Sequence, residues 1–212
     1  MPIDSNPTAR ERKPLVARVT FLLLGLAVIW PTVAGAEATL PERRRAEVRA
    51  LNAELLSRPS ATETLTRWCA EHRLAADPKI VAVKRPDVQK PPDDSTLAML
   101  GGVAASAVKY RRVELTCGVR VLSKADNWYR PDRLTPEMNT ALETTQTPFG
   151  AVVRPLAFTR RTVDVTMMVA KRRGAFAPIV LRHRAVLSTG SGLPFSVVVE
   201  SYTAAVLDDT VK

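Results

Sequence analysis

The sequence is short of aromatic residues, histidine and cysteine, and each shortage limits what the protein can be. Phe, Trp and Tyr make up only 5% of the 212 residues, so the hydrophobic core has to be built mainly from valine, leucine, alanine and methionine. With two histidines, two cysteines and no Cys-x-x-Cys motif, the sequence predicts no metal site. It also contains no Gly-x-Gly-x-x-Gly, P-loop, Gly-x-Ser-x-Gly or His-Glu-x-x-His motif, so we expect no cofactor and no standard nucleophile.

Basic residues outnumber acidic ones by 31 to 21, which gives a formal charge of +10. Such an excess suits an anionic partner, which could be a nucleic acid, a membrane surface or a carboxylate ligand, or it can simply reflect solvated arginine-rich faces. No basic stripe interleaved with aromatic residues is present, and neither is a zinc-finger or RNA-recognition motif. We therefore expect no nucleic-acid partner, while a small anionic, carboxylate-bearing ligand is expected from the charged strand residues and the resemblance described below.

Residues 1–36 have the organisation of a secretory signal peptide. Four basic residues precede an uncharged run at residues 19–30, and Ala34-Gly35-Ala36 has the small-residue pattern of a cleavage site. The apolar run is 12 residues long, too short to cross about 30 Å of hydrocarbon as a helix. This favours cleavage after Ala36 over an uncleaved anchor. It predicts an exported protein, periplasmic or secreted, with no stable membrane span after cleavage.

The rest of the chain reads as an N-terminal helix at residues 37–58 and an α+β domain at residues 59–212. Thr39 with Glu42, and Ser60 with Glu63, have the spacing of helix caps. Residues 86–97 are rich in proline and aspartate and are predicted to be loop. Helices are predicted at 39–57, 61–73, 135–144 and shortly after 147–150, and strands at 79–85, 110–117, 119–125, 162–170, 179–188 and 195–205.

This order of elements favours one antiparallel sheet with helices packed on it over a doubly wound parallel sheet, because strands do not alternate regularly with long helices. The two cysteines, Cys69 and Cys117, fall on a predicted helix and a strand end. In an oxidising compartment they could form a disulfide, or each could be a small buried hydrophobic residue.

Two charged residues lie in strands whose neighbours are strongly apolar. Glu200 shares a strand face with Val198 and Tyr202, and either this face is buried or Glu200 lies on an edge strand and faces water. Arg112 is the other. The planar fork of an arginine matches the two oxygens of a carboxylate, and a buried glutamate can hold or deliver a proton. Together they would fit a closed cavity for a small anion whose reaction needs an acid.

Five segments, kept in order and spacing across roughly residues 52–206, resemble motifs of the chorismate pyruvate-lyase family. The family's fold is a highly twisted antiparallel sheet with helices that encloses the ligand. The segments are Thr64–Arg67, Tyr110–Leu115, Thr147–Gly150, Phe158–Arg161 and Val197–Glu200.

The resemblance implies a chorismate-lyase-like fold, a role for each matched residue and no cofactor. Arg112 would bind a substrate carboxylate, with Arg111 as the alternative one position away. The backbone amides of Leu65 and Phe149 would orient the substrate. Glu200 would assist release of pyruvate from chorismate, leaving 4-hydroxybenzoate. Arg112 and Glu200 would then point into one cavity.

Three functions remain open on this sequence. The first is a chorismate-lyase-like enzyme, or one acting on a related small carboxylate. The second is a non-catalytic exported binding module for a small aromatic or carboxylate ligand on the same fold, because chorismate is a cytoplasmic metabolite. The third is a surface protein whose basic face binds polyanions.

If the fold follows the family, Cys69 and Cys117 are predicted to stay apart and reduced.

Overall fold

The computed structural model describes residues 39–168 and 177–207. The predicted signal peptide lies outside these residues. Five helices and six strands follow in the order α1 Leu40–Ser57, α2 Ala61–Glu71, β1 Ile80–Lys84, α3 Asp94–Met99, β2 Lys109–Cys117, β3 Arg120–Tyr129, α4 Pro136–Thr144, α5 Phe149–Val152, β4 Thr159–Met167, β5 Ile179–Ser188 and β6 Pro194–Thr203.

The six strands form one antiparallel sheet in the order β1-β2-β3-β6-β5-β4. The hairpins β2–β3 and β5–β6 meet at the centre, where β3 pairs with β6. The predicted α+β class with an antiparallel sheet is confirmed. Three predicted strands differ at an end by two or more residues: β3 continues to Tyr129, β4 begins at Thr159, and β6 gives way to a 3-10 turn at Ala204.

The predicted caps begin the first two helices. The Thr39 backbone N–H donates to the Glu42 carboxylate at 2.8 Å, and the Glu63 N–H donates to the Ser60 hydroxyl at 3.2 Å. Each bond satisfies a backbone or side-chain group that the first helical turn would otherwise leave unpaired. These short-range signals explain why both helix starts could be located from the sequence.

The prediction that residues 86–97 are loop is wrong over its last part, because α3 begins at Asp94. The Asp93 carboxylate accepts the Thr96 backbone N–H at 2.6 Å and caps this helix. The proline-rich stretch ends just before the cap, so the loop signal and the helix signal adjoin. A six-residue helix has little periodicity of its own to reveal it.

The main hydrophobic core lies between α1, α2 and one face of the sheet, which we call the inner face. Leu51, Leu55, Leu65 and Trp68 of the two helices are fully buried against it. The opposite, outer face is partly covered by α3 and the residues around it, where Leu100 packs on the sheet. Within the described ranges, no helix has the length and hydropathy needed to cross a membrane.

Cys69 and Cys117 form a disulfide, so the prediction that they stay apart and reduced is wrong. Their Cα atoms lie 6.6 Å apart, within the range that a disulfide can bridge. The expected positions on α2 and at the end of β2 are correct. The bridge forms because α2 packs directly across the end of β2, a long-range contact that the sequence does not encode locally.

Candidate functional site

A cavity lies between the inner face of the sheet and the N-terminal ends of α2 and α5. Its empty space is about 540 Å³, including the mouth that is open to solvent. Four lining residues are charged or amide-bearing: Arg111, Asn127, Arg160 and Glu200. The remaining sheet and loop walls are mostly apolar and include Val113, Leu115, Ala125, Phe149, Phe158, Leu187 and Val198.

Arg111 is a buried cation without a carboxylate partner among the described residues. Only 8% of the residue is exposed, and its Nη2 donates to the Thr147 carbonyl at 3.2 Å. Its Nε and Nη1 have no hydrogen-bond partner in the part of the chain that the structure describes. Burial lowers the pKa of Arg111. The guanidinium therefore presents two unused donors at the cavity wall.

Arg160 and Glu200 form a buried ion pair on the same wall. Arg160 Nη2 lies 2.6 Å from Glu200 Oε2, and the two side chains are 3% and 8% exposed. The Tyr202 hydroxyl donates to the same oxygen at 2.9 Å. Burial lowers the pKa of Arg160, but the Glu200 carboxylate more than offsets this and raises it. Burial and the same carboxylate raise the pKa of Tyr202, so its hydroxyl keeps its proton.

His183 lies next to Glu200 on the neighbouring strand and is fully buried. Its Nε2 is 2.7 Å from Asn52 Oδ1 of α1, and its ring meets that of Tyr202 edge to face. Burial lowers the pKa of His183 to about 4. The imidazole is therefore neutral at physiological pH and connects α1 to the sheet beneath the cavity.

The lowered pKa of His183 predicts that the fold loses stability in acid. The unfolded chain binds a proton near the ordinary pKa of 6.5, while the folded chain resists protonation down to about 4. Stability is therefore fully present above pH 6.5 and falls as the pH drops towards 4. Between pH 7.5 and pH 5 we expect the free energy of unfolding to fall by about 2 kcal/mol from this group.

Urea unfolding at a series of pH values measures this effect, with His183→Gln as the test variant and His72→Gln as the matched control. Glutamine keeps a hydrogen bond to Asn52 possible but does not titrate. The His183→Gln variant should lose most of the slope between pH 7.5 and pH 5, and His72→Gln should keep it. Equal slopes in wild type and His183→Gln would contradict the assignment.

The structure places Arg112 and Glu200 on opposite faces of the sheet, so the expectation that they share a cavity is wrong. Arg112 Nη1 lies 2.5 Å from Asp126 Oδ1, which also accepts the Tyr110 hydroxyl at 2.6 Å. Successive side chains of a strand face opposite ways, so a shift of one residue moves the arginine to the other face. Arg111, the alternative, lines the cavity with Glu200.

The two residues expected to offer backbone amides also differ in position. Phe149 lines the cavity with its side chain, at the start of α5. Leu65 lies in the second turn of α2, fully buried in the main core, and does not line the cavity. The part of α2 that reaches the cavity is its first turn, together with Pro59 and Ser60.

Two polar residues of the wall were not assigned from the sequence. Arg160 belongs to the segment Phe158–Arg161, which was noted as a motif without a role. Asn127 accepts the Ser196 hydroxyl at 2.6 Å and faces the cavity from β3. Its signal was its position on the same strand face as Ala125 and Tyr129. Across residues 39–168 and 177–207, no group of three or more His, Cys, Asp or Glu residues is placed to hold a metal ion.

A curated protein with a similar sequence is the uncharacterized protein y4mC of Sinorhizobium fredii (strain NBRC 101917 / NGR234). It is 43% identical over 180 residues, which cover 77% of this chain and 76% of that protein. No family model matches the chain.

Solved structures with some likeness are parts of transcriptional regulators. PhnF from Mycobacterium smegmatis is 17% identical with a TM-score of 0.46, over 68% of this chain and 64% of that one, so this chain spans less than two thirds of it. The effector domain of the same protein is 16% identical with a TM-score of 0.45, over 69% of this chain and 89% of that one. The ligand-binding domain of a GntR-family transcriptional regulator from Bordetella bronchiseptica is 16% identical with a TM-score of 0.42, over 58% of this chain and 85% of that one.

The resemblance to the chorismate pyruvate-lyase family is wrong. The three solved structures named above are a transcriptional regulator and two ligand-binding or effector domains of regulators, and none of the three is named as a lyase. The geometry agrees with this correction, since Arg112 lies on the outer face and Leu65 in the core. The short motifs matched strand and turn patterns that many sheets share, without matching the arrangement of the site.

Proposed function

We propose that this chain, which belongs to the same family as the uncharacterized protein y4mC of Sinorhizobium fredii, is a binding domain. Its ligand would be a small molecule bearing one carboxylate. The observation that carries the proposal is Arg111, a buried guanidinium with two unused donors on the wall of a cavity. Burial of an unpaired charge costs several kcal/mol. A bound carboxylate would offset that cost and accept a hydrogen bond from one of the unused donors, with Nη2 beside it.

The charge balance of the wall sets the charge of the ligand. Arg111 and Arg160 supply two positive charges and Glu200 supplies one negative charge, which leaves one positive charge without a partner on the wall. A monoanion restores neutrality. A dianion would meet the Glu200 carboxylate as well as the two arginines, so we expect it to bind more weakly.

The size and lining of the cavity determine which uncharged part of a ligand fits it. Phe149, Phe158 and Leu187 also line the cavity and favour a ligand whose hydrocarbon part is apolar or aromatic. The limited size of the cavity favours a compact molecule. A small aromatic or aliphatic monocarboxylate meets both conditions.

Binding without catalysis is the reading that the contacts of Glu200 support. Its Oε2 already accepts from both Arg160 and Tyr202, contacts that fix the carboxylate in place. A group that delivers a proton to a substrate must be protonated and free to reach it. A carboxylate held by an arginine is better suited to orienting that arginine.

We also propose that the protein is exported. The organisation of residues 1–36 supports this, and so does the Cys69–Cys117 disulfide, because disulfides persist mainly in oxidising compartments. N-terminal sequencing of protein recovered from an exporting host should then begin at Glu37. A chain that retains residues 19–30 would contradict cleavage.

The experiment for the binding function compares ligands that differ only in charge. Benzoate and benzamide have the same size and ring, but only benzoate carries a negative charge. We expect benzoate to raise the melting temperature of the protein and to bind at least tenfold more tightly than benzamide, about 1.4 kcal/mol. Phenylacetate and hexanoate, each compared with the corresponding amide, extend the test to ligands with other hydrocarbon groups. No preference for acid over amide in any of the three pairs would refute the proposal.

A further inference from the structure

A second concave surface lies on the outer face of the sheet, on the far side from the cavity. Its floor is formed by β3 and β6, and the 3-10 turn at residues 204–206 lies along one side. Its empty space, which includes open solvent, is about 1580 Å³. Five basic residues and one acidic residue line what we call the outer groove: Lys90, Arg112, Arg120, Lys124, Arg182 and Asp126.

Among the described residues, two carboxylates lie in or beside the outer groove, and each is shared by two cations. Asp126 lies 2.5 Å from Arg112 and 3.9 Å from Lys90. Glu114, beside the groove, lies 3.3 Å from Lys124 and also contacts Arg85. Each of these carboxylates can cancel only one positive charge, so the groove keeps a positive potential. Concave surfaces lined by one sign of charge concentrate counter-ions.

One row of three residues crosses the floor of the outer groove. Lys124 pairs with Ser201 in the β3–β6 register, and Ser201 pairs with Arg182 in the β6–β5 register. Neighbouring strands are about 4.8 Å apart, so the two cations flank the serine about 10 Å from each other. Arg182 Nε donates to Ser201 Oγ at 3.3 Å. Arg182 is exposed and forms no ion pair with a carboxylate among the described residues.

We propose that the outer groove binds a short stretch of a linear polyanion that bears phosphate or sulfate groups. Lys124 and Arg182 contact the anionic groups that lie over Ser201, and Arg112 and Lys90 extend the track along β3. Exposed cations contribute little singly, so affinity requires a ligand that meets several of them at once.

The lining also decides against a single-stranded nucleic acid. None of the described residues that line the outer groove is aromatic. Single-stranded nucleic acids gain about 1–3 kcal/mol for each base that stacks on an aromatic side chain. A groove of cations over Val121, Val199 and alanines offers no such platform. Regularly spaced anionic groups on a flexible chain fit it better.

The test uses inorganic polyphosphate as the probe and two double variants of equal charge. Lys124→Gln/Arg182→Gln removes two positive charges from the groove. Arg49→Gln/Arg58→Gln removes two exposed charges from α1 and its C-terminal end, away from the groove. Both are surface changes that should leave the fold intact. Benzoate binding, measured in parallel, reports whether the fold and the cavity on the other face survive.

We expect the groove variant to bind polyphosphate at least tenfold more weakly than wild type. The slope of log K against the logarithm of the salt concentration should become shallower by roughly two. The α1 variant should bind within threefold of wild type. Dextran sulfate should follow the same order if either anionic group suffices, and a response to polyphosphate alone would narrow the class to phosphate. Equal losses in both variants would show a mere net-charge effect and overturn the proposal. Failure of wild type to bind either polymer would also overturn it.

Discussion

Glu200→Gln is expected to lower the free energy of unfolding by about 3–5 kcal/mol, because it leaves the Arg160 guanidinium buried without its counter-charge. Arg160 is 3% exposed, and its ion pair with Glu200 is the most deeply buried pair of the described residues. The penalty comes from the stranded charge rather than from the lost attraction. Urea unfolding measures it directly.

Two further variants separate this cause from general damage. Arg160→Met/Glu200→Leu removes both charges and should recover most of the loss, since an apolar pair leaves no buried ion unpaired. Glu143→Gln removes a carboxylate from the exposed pair with Lys109 and should change stability little. If Glu200→Gln were no more destabilising than Glu143→Gln, the buried pair would not hold the cavity wall as described.

Replacing both cysteines, as Cys69→Ala/Cys117→Ala, is expected to lower the free energy of unfolding by about 4 kcal/mol. The bridge joins residues 48 positions apart, so its removal frees a long loop in the unfolded chain. It also ties α2, whose first turn lines the cavity, to β2, which carries Arg111. Ligand binding should therefore weaken together with stability.

Wild-type protein in reductant provides the internal comparison. Its urea midpoint should move to that of the double alanine variant, and thiol titration should find two reactive cysteines only after reduction. The variant itself should be insensitive to reductant. A double variant that unfolds at the wild-type urea concentration would mean that the bridge does not stabilise the fold.

The elements of this fold were predictable where the signal is local. The cap residues Thr39 and Ser60 located two helices, and alternation located the strands. The side of the sheet on which Arg111 lies could also be predicted from the sequence. Val113, Leu115 and Cys117 are the apolar residues of β2, and Arg111 continues their phase to the inner face. The family resemblance favoured Arg112 instead.

Contacts between distant segments could not be predicted in the same way. Arg160 reaches Glu200 because β4 and β6 flank β5, an order fixed by the pairing of whole hairpins. A bulge between Thr162 and Asp164 also changes the phase of β4, so alternation alone misplaces its side chains. The disulfide likewise depends on where α2 crosses the sheet.

The central claim is that Arg111 binds a carboxylate in the cavity, and calorimetric titration of benzoate into Arg111→Gln and Arg112→Gln tests it most directly. The two arginines are neighbours in one strand and face opposite sides of the sheet, so the variants match in charge and position. Arg111→Gln should lose at least tenfold in benzoate affinity while its stability without ligand is unchanged or higher, because an unpaired buried charge is removed. Arg112→Gln should bind benzoate as wild type does. Equal affinities in wild type and Arg111→Gln, or a loss confined to Arg112→Gln, would contradict the account.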